Sequence, residues 1–161
     1  MRHSYVLLVP GVLALAFEHV FTVRFGDVDR AGIVFFARVF EYCHEAFEEL
    51  LAVTAGGIQA LFEAKDWGAP LVHADADFVK PMRLGERVRV QVAIEAASTK
   101  TITIAYRLLG EDEVLRATAR TVHAFVDLGT FRPVMFPSAF ADALRGAGID
   151  GHEKIGSADA Q

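Results

Sequence analysis

Polar and apolar residues alternate over residues 19–26, with Val20, Thr22 and Arg24 on one side and Phe21, Val23 and Phe25 on the other. A period of two predicts a half-buried strand. The period changes after the loop Asp27-Val28-Asp29-Arg30-Ala31-Gly32. At about 100° per residue, Phe36, Val39, Phe40, Cys43, Ala46, Phe47, Leu50 and Leu51 fill one broad arc. Arg38, Glu41, Glu45, Glu48 and Glu49 fill the opposite arc, and His44 falls on the border. The spacing predicts an amphipathic helix of about five turns directly after the loop, closed by Gly56-Gly57 acting as a C-cap.

Downstream the period returns to two. A short helix is expected over 58–65, broken by Asp66-Trp67-Gly68, and then a strand over 69–79. Lys80-Pro81-Met82-Arg83-Leu84-Gly85 turns the chain. Residues 86–96 alternate through Val88, Val90, Val92 and Ile94, and residues 99–109 through Ile102, Ile104, Tyr106 and Leu108. Gly110-Glu111-Asp112 reads as a hairpin loop before a long final strand over 114–128. Pro133 and Pro137 bracket an irregular piece, and Ser138 is placed to cap a short helix that stops near Gly146. The order β-α-β-β-β-β predicts an α+β fold, an antiparallel sheet packed on one long helix. No repeat or second domain is visible. One domain is expected over 18–150, with an apolar extension at 1–17 and a polar tail at 151–161.

Composition narrows the function. At 161 residues the chain is long enough for a core without staples. It is 53% hydrophobic, and 13 Phe against one Trp and three Tyr point to a greasy interior or an apolar pocket. A net charge of −5 argues against nucleic acid as a partner. Lys80, Arg83, Arg87, Arg89, Lys100 and Arg107 nevertheless concentrate in the middle third, where a phosphorylated small molecule could be gripped. The lone Cys43 excludes an internal disulfide and a cysteine-built metal site, and its arc makes it a small buried hydrophobe. Residues 4–17 form an apolar run with a weak likeness to a secretory leader. The run is short of the ~20 residues that a spanning helix needs. The expectation is an added or over-predicted leader on a cytoplasmic protein.

Several chemistries fall away on spacing. Glu41-x-x-His44 has the spacing of a di-iron ligand pair, but such sites draw on several long helices and one is expected here. None of the four serines lies in G-x-S-x-G, and no phosphate-binding glycine motif occurs. The loop before the helix is the remaining candidate. It puts Asp29 at a helix mouth whose first N–H groups have no intrahelical partner, an arrangement suited to acyl transfer. Asp27 and Asp29 are each equally able to serve as an ordinary turn or cap residue.

The string Phe25-Gly26-Asp27-Val28-Asp29-Arg30-Ala31-Gly32-Ile33-Val34 resembles the signature of the 4-hydroxybenzoyl-CoA thioesterase family. The resemblance continues through Gly68-Ala69-Pro70-Leu71-Val72, Phe78-Val79, the Pro81 to Glu86 turn and Ser98-Thr99-Lys100-Thr101, from residue 20 to about 133. Residues 40–48 look most like bacterial 1,4-dihydroxy-2-naphthoyl-CoA hydrolases. The resemblance implies a hotdog fold, a curved sheet of five to six strands round one central helix. It implies Asp29 as the catalytic carboxylate and the backbone amide of Phe36 as a donor to the thioester carbonyl. Gly32, Phe35, His44, Trp67 and Lys100 would contact substrate, with Lys100 against coenzyme A. No metal or redox cofactor is implied, coenzyme A being part of the substrate. A homodimer or homotetramer with sites built from two chains is expected. Phe36 stands where a branch acting on aliphatic acyl-CoA carries a histidine, which points to an aromatic acyl group. An aliphatic acyl-CoA thioesterase and a non-catalytic acyl-CoA-binding domain are the alternatives.

Overall fold

The alternating segments become strands, and the amphipathic segment becomes the helix they enclose. A computed structural model describes residues 17–53, 63, 65–138 and 140–142. The expected leader, most of the helix expected over 58–65, the helix end near Gly146 and the polar tail lie outside the described residues. In chain order the elements are β1 (Phe17–Thr22), α1 (Arg38–Val53), β2 (Trp67–Gly68), β3 (Leu71–Phe78), β4 (Arg87–Ala97), β5 (Thr101–Gly110), β6 (Leu115–Ala124) and β7 (Val126–Asp127). Five strands make one antiparallel sheet in the order β1-β4-β5-β6-β3, and β2 pairs with β7 separately. This is the expected hotdog arrangement.

Side chains alternate across a strand, so the register fixes which residues share the inner face. Val92 pairs with Tyr106, and Tyr106 with Ala119. Val88, Val90 and Val92 of β4 and Ile102, Ile104 and Leu108 of β5 are buried there. The apolar arc of α1 closes over them through Val39, Cys43, Ala46, Leu50 and Leu51. Phe21 of β1 stacks on Tyr42 with ring centroids 3.7 Å apart. Each fully buried aliphatic side chain of this kind contributes roughly 1.5–3 kcal/mol. Cys43 is 1% exposed, and burial pushes its thiol up to about 12.

Five boundaries differ from the sequence expectation. The first strand stops at Thr22, and Phe25–Asp27 form a short 3-10 turn that leaves Phe25 exposed. The Asp27 carboxylate accepts the Arg24 N–H at 2.8 Å and so stabilises the turn. The helix begins at Arg38 instead of directly after the loop, giving 16 residues, or roughly four and a half turns. Ile33 and Val34 are β-branched and bridge to Arg83 and Val28 instead. The expected strand over 69–79 shortens to β3, which starts after Pro70 because proline has no N–H for a ladder, and Trp67–Gly68, expected as a break, form β2. The expected strand over 114–128 breaks at Phe125, whose N–H turns to the Lys100 carbonyl at 2.9 Å. At the C-terminal helix, Pro137 takes the cap position expected of Ser138, its carbonyl accepting the Phe140 and Ala141 N–H groups.

Candidate active site

The loop between β1 and α1 is closed by its own backbone. Asp29 N–H donates to the Ile33 carbonyl and Gly32 N–H to the Asp29 carbonyl, both at 2.9 Å. Gly32 sits at φ +73, a conformation costly to any residue with a Cβ. One carboxylate oxygen of Asp29 accepts the Ala31 N–H at 2.8 Å. The other oxygen has no partner among the described residues, and the side chain is exposed. Asp27 is engaged differently. Beyond the Arg24 amide it lies 3.7 Å from the Arg38 guanidinium, and its carbonyl accepts the Phe35 N–H at 2.9 Å. Burial and then the neighbouring Asp27 raise the Tyr42 phenol above its ordinary value, although its hydroxyl lacks hydrogen-bond geometry to any partner among the described residues. Two carboxylates two residues apart thus differ in freedom.

The helix mouth offers donors. Arg38, Val39 and Phe40 N–H groups fold back to the Phe35, Phe36 and Ala37 carbonyls. The Phe36 and Ala37 N–H groups donate to no acceptor among the described residues. Phe36 therefore precedes the helix by two residues and still presents a free amide. The Phe35 and Phe36 rings, 4.6 Å apart, stand half exposed beside it.

A cavity of about 880 Å³ lies between α1 and the inner face of β5, β6 and β3. His44 and Glu48 line it from the helix, 2.9 Å apart, and Phe40 adds an apolar wall. Tyr106, Thr121 and His123 line it from the sheet. These three are joined in series: Tyr106 hydroxyl to Thr121 Oγ1 at 3.2 Å, and Thr121 Oγ1 to His123 Nε2 at 3.2 Å. His123 Nδ1 lies 3.1 Å from the Ala69 carbonyl. A carbonyl only accepts, so Nδ1 carries the proton. Burial lowers the His123 pKa, with the Ala69 bond opposing and the His44 charge reinforcing the shift.

The sequence-predicted residues divide into four places. Asp29, Gly32, Phe35 and Phe36 share the loop. His44 alone of the set lines the cavity. Trp67 packs on Phe125 and Phe140, at 5.7 and 5.9 Å, away from both. Lys100 lies in the exposed turn between β4 and β5, its N–H held by Ser98 Oγ at 3.1 Å. The loop adjoins the start of β4 through the Val23 to Glu86 bond, and Lys100 follows the end of that strand. The length of β4 puts them roughly 35 Å apart within one chain. Sequence reasoning missed Tyr106, Thr121 and His123 as site residues. The available signal was a polar pair, Thr121 and His123, on the same face of a strand as Ala117 and Ala119. No cluster of metal-binding side chains and no helix long and apolar enough to cross a membrane occurs among the described residues.

A family model described as the thioesterase-like superfamily matches residues 23–144. The 1,4-dihydroxy-2-naphthoyl-CoA hydrolase of Synechococcus elongatus is 33% identical over 126 residues, covering 76% of this chain and 90% of the relative. That of Nostoc punctiforme is 34% identical over 113 residues, covering 70% and 76%. The crystal structure of a 1,4-dihydroxy-2-naphthoyl-CoA thioesterase from Synechocystis superposes with a TM-score of 0.75 at 30% identity, covering 81% of this chain and 96% of that one. A gentisyl-coenzyme A thioesterase structure shares the fold, with a TM-score of 0.69 at 22% identity.

Proposed function

Because the chain belongs to the thioesterase-like superfamily, we propose that it hydrolyses an aromatic acyl-CoA, of the 1,4-dihydroxy-2-naphthoyl-CoA or 4-hydroxybenzoyl-CoA type, to free acid and coenzyme A. The observation that carries this reading is the pairing, in one loop, of a carboxylate oxygen without a partner on Asp29 with unengaged amides at Phe36 and Ala37. The thioester oxygen accepts the Phe36 N–H as negative charge develops on it. Loss of one such donor costs ~2.7–4 kcal/mol of transition-state stabilisation. Asp29 either attacks the carbonyl carbon or takes a proton from the attacking water. The carbon–sulfur bond breaks, and the coenzyme A thiolate leaves and is protonated. No group beyond the substrate is required. The named relatives act on a dihydroxynaphthoyl thioester, and the free Phe35 and Phe36 rings suit a flat acyl group. A cytoplasmic setting, where coenzyme A thioesters are made, fits this role.

The reading includes a dimer. β3 is a sheet edge, and Leu71, Val72, Phe78 and Val79 on or beside it are more than half exposed. An apolar edge is a pairing template. Antiparallel pairing of two β3 strands about a two-fold axis reverses one copy against the other. It carries the Asp29 end of one chain towards the Lys100 and His123 end of its partner, which reconciles their separation within one chain.

Asp29→Asn is expected to lower kcat at least ~10² on both aryl thioesters, whereas Asp27→Asn costs mainly stability because Arg24 and Arg38 lose a partner. Mixed dimers of Asp29→Asn and Lys100→Glu regain turnover that neither has alone. Equal turnover of the two aspartate variants sinks the assignment of Asp29. A fully active monomer in sedimentation sinks the two-chain site.

A further inference from the structure

We propose that the cavity beside α1 selects acyl groups bearing a hydroxyl, and reads that hydroxyl as a hydrogen-bond donor through the oxygen of Tyr106. The inference rests on the thioesterase reading for its substrate class, and on the geometry of the cavity for everything else.

The direction of the hydrogen-bond series is fixed from its far end. The Ala69 carbonyl holds the proton of His123 on Nδ1, at 3.1 Å. In the neutral ring Nε2 is then an acceptor, so Thr121 donates to it across 3.2 Å. Thr121 has a single proton, so its oxygen accepts from Tyr106, again across 3.2 Å. The one proton of Tyr106 is thereby committed inward. What remains at the cavity wall is the lone pair of the Tyr106 oxygen, with no donor to it among the described residues. Tyr106 is 2% exposed, so water does not meet this acceptor freely. Phe47 stacks on His123 at 5.5 Å and holds the imidazole in place. Burial keeps that ring neutral, the condition on which the order depends.

The helix wall is already engaged. Glu48 holds His44 at 2.9 Å, Glu45 holds His19 at 3.1 Å, and Glu41 is paired with Arg38. Their carboxylates add acceptors, not donors, along the rim. His44, expected from the sequence to contact substrate, is exposed and paired with Glu48. A phenolic group satisfies Tyr106, while an ether, a carbonyl or an alkyl chain at the same place leaves it unmet. Small Ala74 and flat Phe40 leave room for the ring.

Two matched pairs of probes test this: binding of 1-hydroxy-2-naphthoate against 1-methoxy-2-naphthoate, and kcat/KM for 4-hydroxybenzoyl-CoA against 4-methoxybenzoyl-CoA. The native protein is expected to favour the hydroxyl member by about tenfold or more, the value of one hydrogen bond that the analogue cannot make. Tyr106→Phe brings both ratios to within about threefold of unity while the melting temperature shows the protein folded. Thr121→Val leaves the tyrosine proton without its acceptor, frees it towards the cavity, and tips both ratios towards the methoxy member. A native protein without hydroxyl preference, or a Tyr106→Phe variant that keeps it, overturns the proposal. Hydrolysis without hydroxyl preference leaves the thioesterase reading standing. Preferential binding without hydrolysis does the reverse.

Discussion

Beneath α1, β4 and β5 present Val90, Val92, Ile102 and Ile104, each 2% exposed or less. Across the next two strands, at the same inward register, β6 and β3 present Ala117, Ala119, Ala76 and Ala74. The two halves belong to one sheet and face one helix, and they differ in side-chain volume. Branched residues fill the space under the helix and stabilise the fold. Of the alanines, Ala74 borders the cavity together with Ala69, whereas Ala117 and Ala119 are packed in the core. Binding room here comes from withheld bulk, so it is bought with stability that the packed half supplies.

That contrast is most open to attack in the packed half. Ile104→Ala is expected to cost 2–5 kcal/mol, roughly the transfer and cavity terms for a buried isoleucine. Chemical denaturation reads the loss, and the kcat/KM of the folded protein stays unchanged. A comparable loss of activity means that the packed half also serves the substrate. The reverse experiment fills the open half. Ala74→Phe places a ring in the cavity and is expected to lower kcat/KM on aryl-CoA substrates by about tenfold, or ~1.4 kcal/mol, with a melting temperature close to the native one. Full activity in that variant removes the cavity from the acyl site.

The smallest effect is a pH dependence of the open half. Burial lowers the His123 pKa in the folded protein, so the unfolded chain protonates first, near its ordinary ~6.5. The stability held above that pH is lost progressively as acid is added from 6.5 towards the depressed folded value. His44 and its partner Glu48 face His123 from the helix, and the His44 charge adds to the lowering. Urea midpoints at pH 7.5 and 5.5 are expected to fall further for the native protein than for His123→Phe. Identical slopes mean that His123 titrates alike folded and unfolded.

The packed half was legible in the chain. Val88 to Ile94 and Ile102 to Leu108 alternate without interruption, and the arc of α1 faces them as its periodicity requires. The open half was not, because alanine carries little hydrophobic signal and empty volume carries none. Strand order was equally hidden, since β3 pairs with β6 and not with its neighbour in sequence. The start of α1 was misplaced because the apolar arc, which begins at Phe36, does not mark the first helical residue; Ile33 and Val34 bridge to Arg83 and Val28, and the helix opens at Arg38. Asp29 stood out only through the string around it. Its turn geometry alone is that of an ordinary loop aspartate.

Cys43 has a consequence for experiment. It is the chain's single thiol, it sits on the buried arc of α1, and its ionisation is pushed up to about 12. The thiolate is the reactive form, so the folded protein at neutral pH is silent towards alkylating reagents and oxidants. Labelling then proceeds only through molecules in which the helix has lifted from β4. Its rate, followed by mass, is an intrinsic clock for transient opening of the core, needing no introduced probe and leaving the cavity untouched.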